Sequence, residues 1–208
     1  MIGVIDLGIS NIFSLCNAIS FIGKKFKVIE KGNDLKKINS LIIPGVGSFH
    51  EGMKSIENKK LKKPILDIAA REVPILGICL GMQILAKIGF EGGKCNGLNL
   101  ISGNVKLLKP YGIYKVPNIG WFDVVVKKKN ILFNYDLKTN DVLKKSFYFL
   151  HSYYFECENK ANIIAVIKYS SKEIPVAIKK KNIFGVQYHP EKSHDNGLEN
   201  LKNFLNFC

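Results

Sequence analysis

The sequence predicts an α/β fold: an open, mostly parallel twisted sheet with helices on both faces and antiparallel additions. Three observations predict it. The first hundred residues alternate short apolar runs with helix-period segments, the second half is a series of closely spaced strand signals, and 208 residues suffice for one substantial core. No internal repeat, low-complexity tract or linker divides the chain, so residues 1–208 are expected to form a single domain.

Each element has its own justification. Residues 2–6 (IGVID) form an apolar run that reads as a buried strand, and in residues 11–22 Ile12, Leu15, Ile19 and Ile22 recur at helical spacing, with Ser10 as a candidate cap. FKVIE and LIIPG are further short strands, followed by helices over 48–58 and 61–72. PILGI is the next strand, and a helix begins near Cys79. This βαβ rhythm implies parallel pairing. Beyond Asn104 the signals shorten to NVKLL, WFDVVV, SFYFL, NIIAVIKYS, PVAIK and IFGVQY, expected as antiparallel additions to the same sheet. A closing helix over 197–207 directs Leu198, Leu201, Phe204 and Leu205 to the core.

Composition narrows the functions available. No apolar run approaches 18 residues, so no membrane partner is expected, and the start, MIGVIDLG, has neither a basic leader nor a small-residue cleavage site. A cytoplasmic protein is the expectation. The formal charge of +14 invites a nucleic-acid reading, but Arg71 is the sole arginine and the lysine clusters carry no interleaved aromatics. Those lysines read as solvated faces that attract anionic metabolites, and no nucleic-acid partner is expected. Five cysteines without a Cys-x-x-Cys pair indicate free thiols rather than a disulfide framework, and Cys16, Cys157 and Cys208 read as small buried hydrophobes.

Cys79 reads differently. Gly77-Ile78-Cys79-Leu80-Gly81 lies where a buried strand ends and a helix starts, the context of a nucleophile elbow. The turn strains its central residue and demands small neighbours, which Gly77 and Gly81 supply. The helix N-terminus favours a negative sulfur. A thiolate needs a proton acceptor, and of the four histidines only His189, in GVQYHPEKS, lies in a run that explains itself. Pro190 keeps His189 extended at a strand end, and Glu191, two residues on, can accept its ring N–H. Nucleophile, base and orienting carboxylate are then Cys79, His189 and Glu191. The backbone N–H of Leu80 and the amides of Gly45-Val46-Gly47, in a loop that two glycines let turn sharply, are candidate oxyanion donors. No Lys-Ser/Thr follows those glycines, which opposes a phosphate loop.

The segments PGVGSFHEGM, GICLGMQ, VPNIGW, LHSYYF and GVQYHPEKSHDNGLENLKNF together resemble the class I (triad) glutamine amidotransferases, and more narrowly the glutaminase subunits of imidazole glycerol phosphate synthases, from Gly3 to Phe207. The resemblance implies that Cys79 attacks the side-chain amide of glutamine, His189 shuttles the proton and Glu191 orients it. It implies that Gln83, Glu91, His151, Ser152 and Tyr153 hold the amino and carboxylate ends of the substrate, without cofactor or metal. Of these, Glu91 suits an ammonium, and Ser152 suits a carboxylate. It further implies a heterodimer with a (βα)₈-barrel cyclase subunit that receives the ammonia, with Asp6, Asn11, Pro117, Asn118 and Trp121 near the interface. The chain departs from the usual pattern at DLGISN and VPNIGWF, at Leu7, Ser10, Asn118 and Phe122, which leaves the ammonia acceptor open. A paralogue supplying ammonia for amidation or amidination of a surface-polysaccharide sugar is one alternative, and a non-catalytic scaffold is another. A papain-type protease is opposed by the βα rhythm and by His-Pro-Glu.

Overall fold

The computed structural model describes residues 1–9, 11–112, 114–133 and 144–208, and among them the elements run as follows. Strand β1 is Ile2–Ile5, helix α1 Phe13–Phe21, β2 Phe26–Ile29, β3 Ser40–Gly45, α2 Phe49–Asn58 and α3 Lys62–Ala70. Next come β4 Ile75–Cys79, α4 Leu80–Ile84, the two-residue strands β5 Ile88–Gly89 and β6 Cys95–Asn96, and β7 Gly103–Leu107. The second half holds β8 Asn118–Val126, β9 Lys144–His151, β10 Tyr153–Cys157, β11 Ile163–Tyr169, β12 Lys172–Lys180, β13 Ile183–Val186 and α5 His194–Phe207.

Nine strands form one sheet in the order β2-β1-β3-β4-β13-β12-β11-β8-β9. The first five are mutually parallel, and β12, β11, β8 and β9 extend the sheet by antiparallel pairing. The predicted fold class holds, with two differences in detail. IFGVQY, expected as an antiparallel addition, supplies β13, which runs parallel to β4 and antiparallel only to β12. NVKLL joins a separate four-stranded sheet in the order β10-β7-β5-β6. Its period-2 pattern specifies a strand but not its partner, and β7 pairs with β10, Leu107 opposite Tyr153.

Strand alternation divides the core. Val4, Ile42, Leu76 and Val186 face one side with α1 and α5, while Ile5, Ile43 and Ile75 face the other with α2, α3, α4 and the small sheet. Each fully buried Ile or Leu contributes about 1.5–3 kcal/mol. Helix starts are secured locally. In α2, Ser48 accepts from Glu51 N and the Glu51 carboxylate returns to Ser48 N, a capping box. At α1, Asn11 Oδ1 accepts Phe13 N at 3.0 Å, and the candidate cap Ser10 lies outside the described residues. Helix α5 begins three residues earlier than expected, at His194, where φ is +48°. No described helix is long and apolar enough to cross a membrane. All five cysteines are free.

Candidate active site

The carboxyl ends of β3, β4 and β13 meet at Cys79. Gly45 lies in register with Cys79 across the β3–β4 pair, and β13 delivers the chain to His189 three residues past its end. Cys79 has φ +54° and ψ −109°, a conformation costing about 1–3 kcal/mol in a non-glycine residue. Packing enforces it. A Cβ at Gly77 would lie 2.5 Å from the carbonyl oxygen of Gly81, and one at Gly81 would lie 1.6 Å from that of Ile43. Only glycine lets α4 start this close to β3.

His189 is buried and extended, with φ −99° and ψ 95°. Its Nδ1 donates to Glu191 Oε1 at 2.8 Å, which leaves Nε2 as the basic nitrogen of the neutral ring. Nε2 makes no hydrogen bond of ordinary geometry, yet the Cys79 side chain is near enough to act on it. Burial disfavours the imidazolium, but the Cys79 and Glu191 side chains outweigh burial and lift the His189 pKa to about 10. The backbone of His189 is also fixed. Its N–H donates to Tyr148 O at 2.9 Å, and Ser193 Oγ donates to its carbonyl at 2.6 Å.

A cavity of about 330 Å³ opens over the sulfur, lined by residues that include Val46, Gly47, Cys79, Leu80, Gln83, Glu91, His151, Ser152 and Tyr153. The structure thus brings every predicted oxyanion and substrate residue to one space except Gly45, which packs behind it against Leu80. Ser48, Pro117 and Leu150 join the lining, Pro117 having been expected only at the partner interface. Glu91 Oε2 accepts Phe49 N at 2.7 Å, anchoring the carboxylate on the first turn of α2. Gln83 spends its amide nitrogen within the protein, on Tyr153 O at 3.0 Å and Gln187 Oε1 at 3.1 Å. His151 Nδ1 donates to Tyr153 O at 2.8 Å, and Asn118 Nδ2 donates to its Nε2 at 3.0 Å, an arrangement that requires a neutral ring. Burial first, then the charge of His189, push the His151 pKa down to about 4 against the raising effect of that carbonyl.

Among the expected interface residues, Asn11, Pro117 and Trp121 are exposed and Asp6 is half-buried. Asn118 is not on the surface. It pairs with His151 in the β8–β9 register, and strand alternation turns it inward while Ile119 and Trp121 point out. Sequence reasoning missed Gln187, whose Nε2 lies 3.7 Å from the Cys79 sulfur. The available signal was a glutamine inside an otherwise apolar strand run, two residues before His189.

A strained cysteine at a strand–helix elbow, beside a histidine held by a carboxylate, defines a cysteine-nucleophile site on an α/β sheet. The family model for glutamine amidotransferase class-I matches residues 3–207, and the chain belongs to that family. Relatives similar to it include imidazole glycerol phosphate synthase subunit HisH of Leptospira borgpetersenii, 38% identical with 98% of each chain covered. The subunit of the same name from Caldanaerobacter subterraneus subsp. tengcongensis is 40% identical, covering 98% of this chain and 97% of its own. Solved structures share the fold at lower identity. A glutamine amidotransferase superimposes with TM-score 0.75 at 17% identity, covering 100% of this chain and 99% of its own. PurLQS of Thermotoga maritima superimposes with TM-score 0.76 at 18% identity, covering 99% and 97%.

Proposed function

We propose that the chain is the glutaminase subunit of an imidazole glycerol phosphate synthase. It hydrolyses glutamine to glutamate and ammonia and passes the ammonia to a (βα)₈-barrel cyclase subunit. That subunit forms imidazole glycerol phosphate and aminoimidazole carboxamide ribotide in histidine biosynthesis. The observation that carries this reading is the match to subunits of that name across 98% of the chain.

The geometry supports a two-step reaction. Cys79 gives its proton to His189 Nε2, and the sulfur attacks the side-chain amide carbon of glutamine. The oxygen of the tetrahedral intermediate is held by the Leu80 N–H and an amide of Gly45-Val46-Gly47. His189 returns the proton to the departing nitrogen, ammonia leaves, and a thioester remains. His189 then takes a proton from water, the hydroxide attacks the thioester, and that proton returns to the sulfur as glutamate is released. Glu191 keeps the imidazole in the productive tautomer throughout. Glu91 receives the substrate ammonium, and Ser152 with the neighbouring β9–β10 amides receives its carboxylate.

The acceptor alternatives lose their footing in the packing. The sugar-pathway reading rested on Leu7, Ser10, Asn118 and Phe122 as changes on a docking face. Leu7 and Asn118 are each 2% exposed, Phe122 packs edge-on against Phe149 at 5.8 Å, and Ser10 lies outside the described residues. Side chains turned inward, as those of Leu7 and Asn118 are, do not choose a partner. A scaffold reading has no use for a strained Cys79 or for a histidine held between thiol and carboxylate.

The test is reconstitution. The chain, a histidine-pathway cyclase, glutamine and the phosphoribulosyl carboxamide intermediate are expected to yield imidazole glycerol phosphate and glutamate in equal amounts. Cys79→Ala is expected to reduce glutamine-dependent turnover more than about a thousandfold while turnover on added ammonia persists. Glutamine-dependent product from the Cys79→Ala complex would refute the nucleophile. Stimulation by a sugar-pathway cyclase alone would move the acceptor.

A further inference from the structure

The Cys79 sulfur has two polar neighbours besides His189. Leu150 O lies 3.8 Å away and Gln187 Nε2 3.7 Å away. A carbonyl only accepts, so Leu150 O suits the S–H of a thiol. An amide NH₂ only donates, so Gln187 Nε2 suits a thiolate. The orientation of the Gln187 amide therefore determines which form of the sulfur it serves.

Neighbouring groups fix that orientation. Tyr153 O cannot donate, so the Gln83 atom 3.0 Å from it must be the nitrogen. The second hydrogen on that nitrogen then points at Gln187, 3.1 Å away, whose facing atom must be the oxygen. The NH₂ end of Gln187 is thereby left on the sulfur. Reversing Gln187 would press two donors together between the glutamines. Gln187 is fully buried and Gln83 is 4% exposed, so solvent offers neither an escape. His151 Nδ1 also donates to Tyr153 O, at 2.8 Å, and pins that carbonyl. One backbone oxygen thus sets the direction of the glutamine relay that ends at the nucleophile.

We propose that Gln187 is a catalytic hydrogen-bond donor to the Cys79 thiolate and that Gln83 is the positioning residue that aims it. The proposal rests on the glutaminase reading above, in which the sulfur must be an anion before attack. Gln187 transfers no proton. The proton leaves Sγ for His189 Nε2, the electron pair stays on sulfur, and the Gln187 N–H replaces a solvation that the buried site does not provide. The contact weakens once sulfur is bonded in the thioester, so it does not hold back the second step. Part of the gain in thiolate population is returned as lower nucleophilicity of a stabilised sulfur, which bounds the net effect.

The experiment is iodoacetamide labelling of the full chain at pH 7, resolved by site with mass spectrometry, with Cys16, Cys95, Cys157 and Cys208 as internal standards. Gln187→Met keeps the volume and removes the donor, and is expected to slow Cys79 labelling about three- to tenfold with the other thiols unchanged. Gln187→Glu keeps the shape and still accepts from Gln83 but offers the sulfur no amide N–H. It is expected to slow labelling at least as much, and it decides the matter if the methionine variant is unfolded. Gln83→Met should slow labelling in the absence of glutamine, and the double variant should be no slower than Gln187→Met alone, a non-additivity that general loosening would not give. Wild-type labelling rates in the Gln187 variants that fold would overturn the proposal. Labelling needs no substrate, so that failure is distinct from failure of the glutaminase reading, which appears as absent glutamine hydrolysis by the wild-type complex.

Discussion

His151 and His189 are both buried yet titrate in opposite directions, and their partners are the reason. His189 faces a thiol and a carboxylate that overcome its burial and carry its pKa to about 10. His151 faces an amide NH₂ and a carbonyl, so burial and the nearby His189 charge win and its pKa falls to about 4. A proton entering the site at neutral pH therefore goes to His189, where the chemistry needs it. The stability consequences have opposite signs. Folding raises the His189 pKa above its ordinary 6.5, so its contribution is fully present below pH 6.5 and is lost as pH rises through 10. Folding lowers the His151 pKa, so its contribution is present above pH 6.5 and is lost as pH falls through 4. Between pH 7 and pH 5 the His151 contribution falls by about 2 kcal/mol, while the His189 contribution rises by about 1 kcal/mol as it becomes full. Urea unfolding of wild type and His151→Gln at both pH values checks this: the variant should lose less on acidification. Equal losses would mean that His151 takes up its proton in the folded state.

At the scale of elements, the β4–α4 turn concentrates the constraints. Helix α4 has five residues, too few to hold a sharp turn by its own hydrogen bonds, so the turn is held by contact with β3. Gly81→Ala, with its Cβ directed into Ile43 O, is expected to destabilise the chain by at least about 3 kcal/mol or to prevent soluble expression. A variant that melts like wild type would show that α4 can move off the sheet. This turn was legible in the sequence because Gly-x-Cys-x-Gly after an apolar run has few other uses. The parallel half was legible for a similar reason, each apolar run being closed by glycine, proline or a cap. What could not be read was pairing. NVKLL looks alike in either sheet, and Asn118 looks like a surface residue until β9 sets His151 opposite it. The start of α5 was hidden too. The sequence reading starts the helix at Gly197, but a Cβ there would lie 1.9 Å from Pro190 O, so that glycine serves close packing inside a helix that begins at His194. Cys79, His189 and Glu191 could be singled out together because each lies within a short run that explains itself. Gln187 and Gln83 are 104 residues apart, and only the fold discloses that they share a hydrogen bond.

Across the whole molecule, the cavity mouth and an apolar surface coincide. Leu150 lines the cavity and pairs with Ile119, which is 53% exposed, and Trp121 two residues on is 46% exposed and lies flat on His194 at 4.9 Å. Large apolar side chains held rigidly at a site entrance are what a partner buries, and a partner seated there would close the cavity to water. A partner seated there would also have a route to the candidate oxyanion amides. Helix α2 receives the loop after β1 near its end, with Ser55 Oγ donating to Leu7 O at 2.5 Å and Lys59 Nζ to Asp6 O at 2.7 Å. Its first turn starts directly after Gly45-Val46-Gly47, where Gly47 has φ +100°. A segment with that freedom has amides that docking can turn toward the site, and one oxyanion donor is worth about two orders of magnitude in rate. The chain alone is therefore expected to hydrolyse glutamine slowly and to accelerate about a hundredfold when an acceptor-loaded cyclase binds. Trp121→Ala should weaken that complex by about 2 kcal/mol, raising its Kd roughly thirtyfold, while the rate at saturating partner stays near wild type. Titration calorimetry and a steady-state glutaminase assay read the two quantities separately. Equal rates for the free chain and the complex would remove docking as the trigger, and an unchanged Kd for Trp121→Ala would move the docking face away from the cavity mouth.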